Sequence, residues 1–136
     1  MMNKYPSPER RKFKRVKANF IVTYKVNRPL QVRMMIGHNE VKSLMLNLSE
    51  GGMAFLTNYN LPAATLLSMR FVLINESAVS AEERIKQIKV DGEVRYSTPA
   101  EGGKYRLGIC FTQISDGDQR TIADFISMIA ENRLAT

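Results

Sequence analysis

Two short clusters hold the side chains with which this chain could do chemistry. The first is Asn47-Leu48-Ser49-Glu50-Gly51-Gly52. There an amide and a hydroxyl stand beside backbone N–H groups, and two glycines permit positive φ and close approach of another molecule to the backbone. The second is Glu9-Arg10-Arg11-Lys12-Phe13-Lys14-Arg15, in which Arg11 and Arg15 fall at an R-x-x-x-R spacing and Arg10 stands next to Arg11. A guanidinium grips a phosphate through two parallel hydrogen bonds, pairs with the O6/N7 edge of guanine, or lies flat on a base; a lysine acts only as a point charge. Each cluster also has an ordinary reading. Gly-Gly between apolar runs is a hairpin turn, and a basic run is a solvated tail.

The charge is unevenly placed, which bears on that choice. The formal net charge is +7 over 136 residues, but residues 1–33 hold ten Lys or Arg against one acid, Glu9, and carry +9, whereas residues 34–136 carry −2. A basic segment on an almost neutral body points to a polyanionic partner: nucleic acid, a nucleotide or an acidic membrane surface. Cys110 is the one cysteine and His38 the one histidine, so an internal disulfide is excluded and a zinc site has almost no ligand set. A Cys-His nucleophile pair can be written from those two residues, but nothing around either resembles a catalytic motif, and no enzymatic activity, metal or cofactor is expected. No apolar run reaches the roughly 18 residues of a membrane span, and the first residues lack the apolar region of a secretion signal. A cytoplasmic protein without membrane insertion is expected.

The elements that must position the two clusters follow from periodicity. Residues 1–8, with two prolines and no pattern, read as a disordered tail. Val16, Ala18, Phe20, Val22, Tyr24 and Val26 share one face of a strand, with Ile21 the exception on the other face. Because this strand abuts the basic cluster, at least one arginine should lie against a sheet. After Arg28-Pro29, the alternation of Leu30, Val32 and Met34 suggests another strand, and residues 37–40 a turn carrying an exposed His38. A hairpin over residues 41–57 bends at the Asn-Ser-Gly cluster. Residues 66–74 read as a strand. Residues 75–87 read as a solvated excursion in which Ser80-Ala81-Glu82-Glu83 could cap one helical turn. Ile88, Val90, Gly92, Val94 and Tyr96 predict a half-buried strand, and Tyr105, Leu107, Ile109 and Phe111 the last one, with Cys110 as inert filling on its other face. Ser115-Asp116-Gly117-Asp118 starts a helix whose Ile122, Phe125, Ile126 and Ile129 form one apolar stripe. The expected fold is mainly β: a six-stranded antiparallel barrel with a C-terminal α-helix covering its open end and a flexible basic N-terminal arm.

Arg11 and Arg15 at R-x-x-x-R, followed by Asn47, Ser49 and Gly52 at N-x-S-x-x-G, resemble the signature of the PilZ domain, the family of bacterial receptors for cyclic di-GMP. The stretches Gly51-Gly52-Met53-Ala54-Phe55, Val94-Arg95-Tyr96 and Tyr105-Arg106-Leu107-Gly108-Ile109-Cys110-Phe111 are similar to the family's strands. The resemblance implies a PilZ-type barrel in a single domain over residues 9–132, with a ligand-binding linker at 9–15, barrel at 16–112 and helix at 115–132. It implies that cyclic di-GMP is the ligand, that Arg10, Arg11 and Arg15 take phosphate and guanine from a mobile linker, that Asn47 and Ser49 bind a guanine edge, and that Gly51 and Gly52 keep the surface clear and offer backbone donors. The output would be a conformational change presented to a downstream protein partner. Two other readings stay open. One is a small nucleic-acid-binding barrel with a basic arm, disfavoured because Phe13, Tyr59 and Tyr105 form no stacking platform. The other is a PilZ-like adaptor that binds proteins and no ligand, disfavoured by the complete pair of motifs.

Overall fold

The computed structural model describes residues 15–37, 39–74 and 79–135. The tail at 1–8, the linker up to residue 14 and His38 lie outside the described residues. The strands are β1 (Arg15–Lys17), β2 (Ile21–Arg28), β3 (Val41–Ser49), β4 (Gly52–Thr57), β5 (Leu66–Ile74), β6 (Ile85–Pro99) and β7 (Tyr105–Ile114). The helices are α1 (Leu30–Ile36), α2 (Ala81–Arg84) and α3 (Asp116–Ala135), with one 3-10 turn over Glu101–Gly103.

All pairings are antiparallel, in the order β1-β3-β2-β5-β6-β7-β4, and β4 pairs back onto β3. Six strands therefore close a ring, as the periodicity predicts, and closure leaves no long unpaired edge. β1 and β2 both lie along β3, with Val16 opposite Leu48 and Ile21 opposite Leu44. Between them the amide of Ala18 donates to Leu46 O at 3.1 Å and that of Met45 to Phe20 O at 2.8 Å. The two are one long strand with an irregular step at 18–20 that keeps the alternation, and Ile21 on the outer face is 56% exposed.

The inward residues fill the ring completely. Val22, Tyr24, Met45, Leu48, Phe55 and Leu107 are each fully buried, and Tyr24 stacks on Phe55 with centroids 5.1 Å apart. The Tyr24 hydroxyl shares a 2.8 Å hydrogen bond with Thr57 Oγ1, and burial pushes its pKa up to about 12. α3 starts where its cap predicts: Ser115 Oγ accepts the Asp118 N–H at 3.1 Å, with Asp116 and Asp118 at the positive end of the dipole. Its stripe of Ile122, Phe125 and Ile126 joins the barrel core, where Phe125 meets Phe20 edge-on at 5.6 Å.

Two segments depart from expectation. Residues 30–36 form helix α1, not a strand. Both edges of β2 are already paired, by β3 and β5, so the segment has no edge to join. As a helix it buries Val32 and half-buries Ile36, four residues on, while Leu30 and Met34, the supposed inward partners of Val32, are 64% and 72% exposed. The second is the excursion: its capping pattern does give the single turn α2, but strand structure resumes at Ile85, three residues before Ile88. Ile85, Lys86 and Gln87 pair with Ile74, Leu73 and Val72, satisfying the end of β5.

Candidate functional site

On the outside of the barrel, the β3–β4 hairpin places the Asn-Ser-Gly cluster where the sequence expects it. Ser49 opposes Gly52, so Glu50 and Gly51 are the loop. The turn is held from both sides. Ser49 Oγ donates to Gly52 O at 3.2 Å and accepts from the Gly51 N–H at 3.3 Å, and Phe111 N–H donates to Gly51 O at 2.9 Å. Ser49 is 3% exposed, and its one proton and one of its two lone pairs serve the turn, which leaves a single acceptor position.

Gly52 is needed for a reason the sequence does not reveal. A Cβ there would stand 2.1 Å from Ile109 O on β7, so glycine permits the strand pairing itself before any ligand arrives. Positive φ, the property read from Gly-Gly, is found among the described glycines at Gly37, Gly102 and Gly103.

Asn47 owes its orientation to a bulge. Met45 opposes Phe55 and Asn47 opposes Ala54, so Leu46 is an extra residue on β3. The bulge breaks the alternation: Met45 and Leu48 point inward, and Leu46 and Asn47 are both left outward and half-buried. Arg15, first residue of β1, opposes Ser49, two positions from Asn47 on that outer face. Its Nη1 donates to Asn47 Oδ1 at 2.8 Å. The two motifs thus meet across 32 residues of sequence. Arg15 is a strand residue here, the first of β1, and Arg10 and Arg11 lie outside the described residues. Of the residues singled out from sequence, Arg15, Asn47, Ser49, Gly51 and Gly52 lie together where β1, β3 and β4 meet, with Ser49 and Gly52 buried.

The family model of the PilZ domain matches residues 9–127. The chain belongs to the PilZ domain family. Solved structures agree on the PilZ fold. MotI/DgrA of Bacillus subtilis, an inhibitor of motility, superposes with a TM-score of 0.69 at 20% identity over 90% of this chain and 52% of that one. The PilZ domain of YcgR from Escherichia coli, solved with c-di-GMP, gives 0.58 at 15% identity over 93% of this chain and 96% of that one. MrkH of K. pneumonia, in complex with c-di-GMP, gives 0.60 at 15% identity over 93% and 55%. This PilZ chain therefore spans about half the length of MotI and MrkH. No curated protein matches it.

The barrel also exposes residues that the motifs do not contain. Lys17 opposes Asn47 on the outer face. On β6, Val94 opposes Ile109 and Tyr96 opposes Gly108, so Arg95 is an extra residue and the alternation breaks there too. Tyr96, expected inward, is instead 44% exposed, and its ring covers Gly108, where a Cβ would come within 1.9 Å of it. Arg95 is exposed, and the neighbouring Cys110 side chain, followed by the Glu93 carboxylate, raises its pKa above the usual arginine value. Cys110 is half-buried, and its Sγ lies 3.7 Å from Phe111 O. The only sequence signal for Tyr96 and Arg95 was the Val94-Arg95-Tyr96 string; a strict two-residue period puts Tyr96 on the wrong face. Among the described residues no helix is long and apolar enough to cross a membrane.

Proposed function

We propose that this PilZ domain is a receptor for cyclic di-GMP that passes its occupancy to a protein partner as a change of surface and performs no reaction. The reading is carried by the Arg15–Asn47 hydrogen bond, which joins the arginine motif to the Asn-x-Ser-x-x-Gly turn on one outer face of the barrel. The ligand chemistry suits what meets there. Two phosphates and two guanines call for guanidinium groups more than once; Arg15 supplies one next to the Asn47 amide, the remaining acceptor of Ser49 and the backbone of Gly51 and Gly52, and Arg10 and Arg11 precede it in the sequence. YcgR and MrkH, both solved with c-di-GMP, share the fold and lend the same support.

Each backbone residue fixed on binding costs on the order of 1–2 kcal/mol, so ordering residues around a ligand requires several charge-assisted contacts in return. Arg15 and Asn47 are already bonded to each other, so that pair is positioned before a ligand arrives. The partner would read the outer face that carries Arg15 and Asn47 once the ligand is bound there.

Calorimetric titration of the full chain with cyclic di-GMP, GTP, cyclic AMP and a single-stranded oligonucleotide tests the reading. Saturable binding of cyclic di-GMP alone is expected, and Arg15→Ala should weaken it tenfold or more with little change in melting temperature. Binding of the oligonucleotide with a steep salt dependence and no preference for cyclic di-GMP would replace the receptor with a nucleic-acid-binding barrel.

A further inference from the structure

The strand register lines up two rows across the outer face. Arg15 opposes Ser49, Ser49 opposes Gly52, Gly52 opposes Cys110 and Cys110 opposes Glu93. Beside that row, Lys17 opposes Asn47, then Ala54, Gly108 and Tyr96 follow in turn. The middle of both rows is built from small residues, Gly52, Ala54, Gly108 and Cys110, and the Tyr96 ring lies over Gly108. The two ends are tall, with Arg15 and Asn47 on one side and Arg95 and Tyr96 on the other. From β3 to β6 is three strand spacings, about 14 Å. Both tall ends exist because each outer strand carries a one-residue bulge, at Leu46 on β3 and at Arg95 on β6, and each bulge turns two consecutive side chains outward opposite the Ala54–Gly108 pair.

We propose that Arg95 and Tyr96 are the second wall of the ligand site and hold the half of a cyclic dinucleotide that Arg15 and Asn47 do not reach. Arg95 supplies a fixed guanidinium to the far guanine or its phosphate, and the exposed part of the Tyr96 ring gives a purine a surface to stack on. The Tyr96 ring lies over Gly108, so it is positioned before the ligand arrives, and the same bulge turns the adjacent Arg95 outward beside it. The assignment rests on the receptor reading but concerns residues outside both motifs.

The test uses the full chain and its only thiol, Cys110, which lies in the floor between the two walls. Cyclic di-GMP is titrated into the wild type, Arg95→Ala, Tyr96→Ala and, as a control for loss of one positive charge elsewhere on the outer surface, Lys42→Ala. In parallel, the rate of Cys110 alkylation by a maleimide is followed with and without saturating ligand. The expected result is that Arg95→Ala weakens binding about tenfold or more, Tyr96→Ala weakens it less, Lys42→Ala leaves it unchanged, and ligand slows alkylation several-fold in the wild type. Wild-type binding with Arg95→Ala indistinguishable from Lys42→Ala, or with an unchanged alkylation rate, overturns the second wall and leaves the receptor intact. A wild type that does not bind overturns both.

Discussion

Three residues show how far a side chain, or the lack of one, decides the local structure. Gly52 faces the backbone of β7, so Gly52→Ala drives a methyl into Ile109 O and must push two paired strands apart. We expect a loss of about 1–3 kcal/mol, read as a lower urea midpoint, with ligand binding lost only as far as the hairpin shifts. Gly117 is the counterexample, with open space around it inside α3, and Gly117→Ala should raise stability by up to about 1 kcal/mol. Tyr24 gives a pH signature. Its pKa is raised to about 12 from 10.0, chiefly by burial, so the folded state keeps the proton that the unfolded state loses first. Its contribution is complete below pH 10 and is lost as pH climbs from 10 to 12. Urea midpoints measured across that window should fall in the wild type and fall less in Tyr24→Phe.

At the scale of elements, α3 is coupled to the site through the strands it covers. It packs against β1, β3 and β6, which carry Arg15, Asn47 and Arg95. Phe125 is the anchor, 7% exposed and edge-on to Phe20 in the step between β1 and β2. Phe125→Ala should cost about 3–5 kcal/mol in denaturant titration and loosen β1, so the affinity for cyclic di-GMP should drop although no ligand-facing side chain has changed. Unaltered stability would mean that the stripe does not close the barrel. α1 behaves differently. Anchored by Val32 and half-buried Ile36, it leaves Leu30, Met34 and Met35 in solvent. The loop after it is fastened to β5 by the two-pronged Glu40–Arg70 pair, exposed on both sides and therefore worth little to stability.

For the whole molecule, one core governs stability. A single buried cluster includes residues from β1 to β7, α1 and α3, so the described residues should melt as one unit. Urea unfolding followed by far-ultraviolet circular dichroism and by tyrosine fluorescence should give coincident transitions, the chain having five tyrosines and no tryptophan. Separate transitions would mean that α3 detaches before the barrel opens. The +9 on residues 1–33 includes Arg15 and Lys17 of β1, on the face of Asn47, whereas the remaining body at −2 adds little long-range field.

Local order along the chain was legible because it depends on neighbours in sequence. The alternation of Val22, Tyr24 and Val26, the Gly-Gly bend and the Ser115 cap each reflect a backbone period or a cap that a few adjacent residues determine, and together they specify the barrel, the hairpin and the closing helix. The two motifs were legible as well, but their meeting at Arg15 and Asn47 was visible only as a resemblance. What tertiary structure alone decided depends on partners far away in sequence. Closure of the ring took both edges of β2 and turned residues 30–36 into a helix, and the carbonyl of Ile109 made glycine obligatory at position 52. Bulges at Leu46 and Arg95 reset which face each following side chain occupies. A bulge is a mismatch in length between two paired strands, so no single strand's pattern records it, and the outward turn of Tyr96 and Arg95 could be read only once β6 was laid beside β7.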